Sequence, residues 1–158
     1  MTWLRSKELR GAHWTEIDWQ ERLWTVPADR MKMRRKHLVP LSRQALEVLS
    51  QLYSLHGRKS PLIFPSMGKT GRPMSENTML NALNALGYKG RHVPHGFRKT
   101  ASTNLNEQGW DYRWIEKQLA HEDSNSVRRA YNSAEYFQDR ERMMQHYSDW
   151  LEARRIAS

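Results

Sequence analysis

Four side chains between residues 95 and 131 are of types that can act together on an anion, namely His95, Arg98, His121 and Tyr131. Residues three apart in a helix share a face, so His95 and Arg98 would present two hydrogen-bond donors side by side. A guanidinium binds anions and keeps its proton, an imidazole transfers protons near neutral pH, and a phenol oxygen can form a covalent intermediate. A histidine and an arginine at this spacing are common, so the pair alone indicates little.

The apolar spacing predicts a helix over 95–108 that would carry the first two of these side chains. It would bury Phe97, Ala101 and Leu105 and end at Gly109.

A second helix is expected over 111–120, with His121 at its end, and a short third helix over about 126–132 would hold Tyr131. The second helix would bury Trp114, Ile115 and Leu119.

A charged amphipathic helix is predicted over 139–154, with Arg140 on its polar side. Its apolar face must be covered, either by the same chain or by exchange between two copies. That face consists of Met143, Met144, Tyr147, Trp150 and Leu151.

The first half of the chain predicts a small sheet between helices. Residues 1–12 read as a short amphipathic helix with Trp3, Leu4 and Leu9 inward. Alternating β-forming residues between 16 and 41 predict a three-stranded antiparallel sheet. These β-forming segments are Ile17–Gln20, Leu23–Val26 and His37–Leu41.

Two further helices are expected before residue 95. Ser42 would cap a helix running to about His56 and stopping at Gly57, and Ser75 would cap another ending at Gly87. Their apolar stripes, which we assign to the core, are Ala45, Leu46, Leu49, Leu52 and Tyr53 in one and Met79, Leu80, Leu83 and Leu86 in the other.

Cations cluster at two places in this half. Arg5 and Glu8 form an i,i+3 pair, which on a helix surface contributes only a few tenths of a kcal/mol. The turn over 30–36 holds five cations in seven residues, and such a run is usually a solvated loop.

Taken together, these motifs resemble the catalytic domain of the tyrosine recombinase (phage integrase) family, in the satellite-phage and prophage subgroup. Six positions occur in the family's order: Arg5, Lys32, His95, Arg98, His121 and Tyr131. The flanking sequences agree too, notably Val39-Pro40-Leu41-Ser42, Gly109, Asn132 and Arg140. One departure is Ala120, where many relatives have glycine, and we expect alanine to suit the helix end.

The resemblance implies a mainly α-helical domain with a small three-stranded antiparallel sheet, and it implies a role for each residue. Arg5, oriented by a buried Glu8, and Arg98 would bind the scissile phosphate of DNA, while His95 and His121 would donate hydrogen bonds or shuttle a proton. Lys32 would protonate the leaving oxygen, with Lys36 as the alternative. Tyr131 would be the nucleophile of a metal-independent reaction that needs no cofactor.

The implied partners are double-stranded DNA, further copies of the chain in a tetramer on DNA, and accessory DNA-bending proteins. An excess of 26 Lys and Arg over 17 Asp and Glu, net +9, fits a polyanionic partner. The chain has no cysteine and no apolar run of transmembrane length, which fits a cytoplasmic protein without a membrane partner.

The resemblance covers nearly the whole chain, so we expect residues 1–158 to be one catalytic domain without the family's arm-binding and core-binding domains. Two other functions share some of these features. A type IB topoisomerase-like enzyme would use the same chemistry to relax DNA, and a DNA-binding module without catalysis would keep the basic charge. A metal site at His92, His95, His121 and Asp123 lacks any tight ligand spacing.

Overall fold

A computed structural model describes residues 1–66, 71–121 and 136–156 of the chain. Within these ranges none of the helices is both long enough and apolar enough to cross a membrane. The described helices are α1 (Ser6–Arg10), α2 (Arg43–Leu52), α3 (Thr78–Leu83), α4 (Gly96–Glu107), α5 (Tyr112–Gln118) and α6 (Phe137–Ile156). The strands are β1 (Ile17–Asp18), β2 (Leu23–Val26) and β3 (His37–Pro40). The chain is therefore mainly helical, and the helix predicted over 126–132 lies outside the described residues.

The three strands form one antiparallel sheet in the order β1-β2-β3, which confirms the predicted sheet. Ile17 is opposite Trp24, and Trp24 is opposite Val39. Because directly opposed residues of paired strands point to the same face of a sheet, these three side chains share one face, and all three are buried.

The buried face of the sheet packs against α2 to form the first of two apolar cores. Ser42 caps α2 as predicted, since its hydroxyl oxygen accepts a hydrogen bond from the amide of Ala45 at 3.2 Å. Beyond Leu52 the helix widens into a π-helical turn over Tyr53–Gly57, and Tyr53, which we expected in the core, is 43% exposed. Members of this core include Trp14, Ile17, Trp24, Val26, Val39, Leu41, Ala45, Leu49 and Ile63.

The second core lies between α4, α5 and α6. The last helix therefore buries its apolar face in its own chain, which is one of the two arrangements expected. Its members are Trp3, Ala101, Leu105, Ile115, Leu119, Met143, Met144 and Tyr147, with Trp110, Trp114, Trp150 and Leu151 packed at the margin.

The first helix is shorter than predicted. Trp3 is buried, as expected, but its backbone has φ of 59°, where a bulky residue is rare and an α-helix cannot continue. The helix consequently starts only at Ser6 and not at the chain's first residues.

The predicted burial of α4 is wrong by one residue. Phe97 is 56% exposed, and Arg98 is buried together with Ala101 and Leu105. Residues 98, 101 and 105 repeat at intervals of three and four, as residues 97, 101 and 105 do at intervals of four, so both sets fit helical spacing. The two sets differ only in their first residue, which is Phe97 in one and Arg98 in the other, and neighbouring residues of an α-helix point about 100° apart.

The stripe on α3 is not core, contrary to prediction. The helix begins at Thr78 after Asn77 rather than at a Ser75 cap, and it contains no buried residue. The segment before α3 is tied to α1 by polar contacts instead. The side chain of Arg10 donates to the carbonyl oxygen of Met74 and to the carboxylate of Glu76. Helical spacing shows that apolar residues share a face but not what covers that face.

Candidate active site

Three of the six predicted site residues, Arg5, Arg98 and His121, lie at the C-terminal end of α5. Arg98 donates from Nη2 to the carbonyl oxygen of Leu119 at 2.6 Å, and Arg5 donates from Nη2 to the carbonyl oxygen of Ala120 at 3.4 Å. The next residue along the chain is His121. Carbonyl groups at a helix C-terminus lack partners within the helix and carry partial negative charge, so two guanidinium groups are well placed there.

Arg5 is held by Glu8, as the sequence predicted. The two oxygens of this buried carboxylate accept from the Arg5 amide at 2.7 Å and from Arg5 Nη1 at 2.8 Å. The arginine precedes the first residue of α1 and the glutamate is on its first turn, so the short helix fixes their separation. About a quarter of the Arg5 side chain stays exposed, which leaves part of the guanidinium accessible.

Arg98 is only 5% exposed. Besides its bond to Leu119, it donates from Nη1 to the carbonyl oxygen of Trp3. Burial, and next the positive charge of Arg5, lower the pKa of Arg98 to about 10. At neutral pH the guanidinium therefore keeps its charge, and the carboxylates of Glu8 and Glu116 lie close enough to favour the charged form.

The chain reverses just before His121. Ala120 has φ of 50°, its amide donates to the carbonyl oxygen of Lys117 at 3.1 Å, and the amide of His121 donates to that of Glu116 at 3.0 Å. This pair of bonds is the Schellman motif, whose left-handed position is usually glycine. Our expectation that alanine suits this position is wrong, since positive φ strains a residue that has a Cβ.

The structure fixes the positions of the remaining predicted site residues less firmly. His95 is exposed at the start of α4, and its carbonyl oxygen accepts from the amide of Arg98 at 3.2 Å. Lys32 and Lys36 are exposed between β2 and β3, and neither makes a hydrogen bond or ion pair with another described residue. Tyr131 lies outside the described residues.

The cationic turn over 30–36 is only partly a solvated loop. Arg30 is held against the fold, because its guanidinium pairs with the carboxylate of Glu16 and donates to the carbonyl oxygen of Gly11. Met31 is buried in the first core. The neighbouring Lys32 is thus one residue from a fixed point of the chain.

A buried polar cluster beside the site was missed by the sequence reasoning. Arg140 on α6, assigned to a polar face, is 1% exposed and donates to the Gln118 side chain from Nε at 3.1 Å and from Nη2 at 2.7 Å. It also donates to the carbonyl oxygen of Leu38 on β3. His37 Nε2 lies 3.1 Å from the carbonyl oxygen of Gln118 and must donate to it. We call Arg140, Gln118 and His37 the junction, since they join α6, α5 and β3.

Residues 118–121 therefore connect most of the described structure around the site. Gln118 contacts Arg140 and His37 within the junction, Leu119 accepts from Arg98, Ala120 accepts from Arg5, and His121 contacts Glu116. Two guanidinium groups and an imidazole at one helix end form an arrangement suited to binding an oxyanion, because all three can donate hydrogen bonds and two are permanently charged.

Comparison with known proteins shows which family the sequence of this chain matches. Residues 1–137 match the model of the phage integrase family. The prophage integrase IntA of Escherichia coli K12 is 45% identical over 153 residues, which are 97% of this chain and 37% of that protein. The chain spans less than half the length of the curated phage and prophage integrases that it matches.

Two solved structures share the fold. The integrase from mycobacterium phage Brujita has a TM-score of 0.68 and 21% identity, over 91% of this chain and 47% of that one. The Tn1549 transposon integrase, solved in complex with circular intermediate DNA, has a TM-score of 0.58 and 18% identity, over 89% of this chain and 52% of that one.

Proposed function

This chain belongs to the phage integrase family, and we propose that it is the catalytic domain of a site-specific recombinase of the prophage integrase type. It would cleave and rejoin double-stranded DNA and so integrate or excise a mobile element. The observation that carries the proposal is the convergence of Arg5, Arg98 and His121 at the end of α5. These three residues are far apart in the sequence, and each is also a position of the family's motif.

The proposed reaction begins with attack of the Tyr131 phenol oxygen on a DNA phosphorus atom. A phosphodiester is anionic and repels nucleophiles, and its transition state carries more charge on the non-bridging oxygens. Arg5 and Arg98 would neutralise that charge from positions fixed before the reaction, which is how preorganised donors lower a barrier. His95 and His121 would donate further hydrogen bonds or carry the tyrosine's proton.

Cleavage would break the bond from phosphorus to the 5′-oxygen. Lys32, or alternatively Lys36, would protonate that oxygen as it leaves, so the cleaved strand would have a free 5′-hydroxyl at one of its new ends and a 3′-phosphotyrosyl link at the other. Attack by the 5′-hydroxyl of a partner strand then reverses the step and releases the tyrosine. The covalent link conserves the energy of the phosphodiester, and the charges needed come from the protein's own side chains.

The proposed partner is double-stranded DNA, in keeping with a net charge of +9 and with the DNA complex of the transposon integrase. We propose that the recombining unit on DNA is a homotetramer and that accessory DNA-bending proteins assist it. Because these partners belong to the whole protein, they are tested separately from the chemistry.

The test is covalent capture from a library of nicked duplexes of randomised sequence. Each duplex loses its short 5′-hydroxyl fragment after cleavage, so the reverse step is prevented and the intermediate accumulates. We expect a protein–DNA adduct that survives denaturant and forms equally well with a chelator present. Tyr131→Phe should bind the library but form no adduct. An adduct of undiminished yield in that variant, or none with the unmodified chain bound to DNA, would contradict the proposal.

A further inference from the structure

Glu116 contacts His121 twice, through the backbone and through the side chain. The Schellman motif brings the His121 amide within 3.0 Å of the Glu116 carbonyl oxygen. The His121 ring then folds back along the last turn of α5, and its Nδ1 atom lies 2.8 Å from Oε2 of the same glutamate. The backbone contact would form with any residue at position 116, whereas the contact to the ring requires the glutamate side chain.

The ring contact also decides which nitrogen carries the hydrogen. An ionised carboxylate can only accept a hydrogen bond, so Nδ1 must donate. In the neutral ring the other nitrogen, Nε2, is then left without a hydrogen and accepts. In the protonated ring Nε2 carries a hydrogen and can donate, so Nε2 is the nitrogen that remains available for proton transfer.

We propose that Glu116 is a positioning residue for His121, holding the imidazole in the Nδ1–H tautomer with Nε2 directed at the scissile phosphate. This inference depends on the proposed function for its catalytic meaning, although the tautomer itself can be measured without any reaction. Nothing in the motif pointed to it, because a glutamate five residues before a histidine has no meaning until the helix end reverses the chain.

The position of Glu116 gives it a second effect. Its carboxylate is among the negative charges that favour the protonated form of Arg98. Removing it leaves the cations at the end of α5 less compensated, so binding of polyanionic DNA should be unchanged or tighter. A slower reaction together with equal or tighter binding separates positioning from a general loss of structure.

An ordinary surface ion pair is the alternative explanation. The side chains of His121 and Glu116 are 43% and 47% exposed, and exposed pairs contribute little to stability. The stability of a variant would not distinguish the two explanations. The tautomer of His121 and the separate effects on cleavage rate and DNA affinity do distinguish the two explanations. A solvated pair that forms only part of the time would determine neither the tautomer nor the cleavage rate.

The first experiment is nitrogen-15 NMR of the histidine rings at about pH 8.5, roughly two units above the ordinary pKa of histidine, with the His121 signals identified from His121→Gln. We expect the Nδ1–H tautomer for His121. Glu116→Gln should retain it, since the amide oxygen still accepts, and Glu116→Ala should convert it to the usual Nε2–H form. An Nε2–H tautomer in the unmodified chain, or no change in Glu116→Ala, overturns the proposal whether or not the chain cleaves DNA.

The second experiment measures adduct formation on duplexes captured from the randomised library. Glu116→Ala should slow cleavage by about 10–100-fold, as when the partner that orients a metal-binding histidine is removed, with DNA affinity equal or higher. Glu116→Gln should recover part of the rate. The matched control is Glu107→Ala, which removes one exposed carboxylate from the end of α4 and should leave the rate unchanged. Equal losses in Glu116→Ala and Glu107→Ala would reduce the effect to charge and contradict positioning.

Discussion

Arg98 and Arg140 are both almost fully buried, both donate to backbone carbonyl oxygens, and burial lowers the pKa of each to about 10. Their surroundings differ. Arg98 lies near a second guanidinium, that of Arg5, and near the carboxylates of Glu8 and Glu116. Arg140 is held in the junction by neutral groups, the Gln118 amide and the Leu38 carbonyl.

This difference shows how one residue type serves two purposes in a small domain. Two like charges held side by side repel each other in the absence of a ligand and are stabilised when an anion binds, which supports the phosphate-binding role that we propose for Arg98. A single buried cation satisfied by amides gains nothing from substrate and instead fixes α6 against α5 and β3. We therefore expect substitutions at the first position to change chemistry and substitutions at the second to change stability.

The largest effect should come from Arg98→Lys. Lysine keeps the charge but loses the planar fork, so we expect the rate of adduct formation to fall by roughly 10²–10³ while the chain still folds. Pre-steady-state adduct yield is the measurement, with circular dichroism as the control for folding. A loss of rate below tenfold would show that Arg98 is a structural arginine, as we expect Arg140 to be.

Arg140→Met should act on the fold instead. Methionine fills similar space but leaves the Gln118 Oε1 and Leu38 oxygens without their donor, which costs about 1–3 kcal/mol for buried groups. Urea denaturation should show that loss in the free energy of unfolding. Among molecules that remain folded, the cleavage rate should stay within about threefold. If Arg140→Met were as stable as the unmodified chain but cleaved DNA far more slowly, the junction would be part of the catalytic machinery.

His37 offers a smaller test of the same junction through pH. Burial, and next the charge of Arg140, lower the pKa of His37 from the ordinary 6.5 to about 3. Between these values the unfolded chain binds a proton that the folded chain does not, so the stability present above about pH 6.5 falls as pH falls. We expect about 1 kcal/mol per pH unit from this source. His37→Gln cannot titrate and should have the flatter pH profile of unfolding free energy; parallel profiles would show that His37 protonates without unfolding.

The smallest effect is expected at the helix end shared by both regions. Ala120→Gly should stabilise the fold by relieving the strain of positive φ at the left-handed position of the Schellman motif. Part of this gain is offset because glycine gives the unfolded chain more conformational freedom. The net gain should be about 0.5–1 kcal/mol in thermal or urea unfolding. A destabilised glycine variant would mean that the methyl group, which packs at the margin of the first core, matters more than the strain.

Much of the fold could be predicted from the sequence because its signals are local. Alternation predicted the three strands, Ser42 predicted the start of α2, and helical spacing predicted α4, α5 and the last helix. The failures concern what covers a face. Phe97 and Arg98 compete for the same buried position, and the apolar stripe of α3 has no partner among the described residues that buries it.

The candidate site could be predicted only as far as the family's motif reaches. Arg5, Arg98 and His121 were named, and the structure brings them to one helix end. The junction could not be foreseen, because its buried polar side chains are stabilised by partners far away in the chain. Arg140 and Leu38 are 102 residues apart, and Gln118 reaches the carbonyl oxygen of Thr2 across 116 residues. The Glu116 contact could not be foreseen either, because it depends on the reversal of the chain at the end of α5.

The most direct measurement compares variants of the two buried arginines on a charged and a neutral substrate. Replacing the scissile phosphate by a methylphosphonate removes its negative charge and one of its two non-bridging oxygens, so the fork of Arg98 can no longer bind two oxygens. Adduct formation is then compared for the unmodified chain, Arg98→Lys and Arg140→Lys on both substrates. We predict that the roughly 10²–10³-fold loss in Arg98→Lys shrinks to tenfold or less on the methylphosphonate, while Arg140→Lys shows the same small change on both. An Arg98→Lys loss that is equally large on the charged and the neutral substrate would contradict the account.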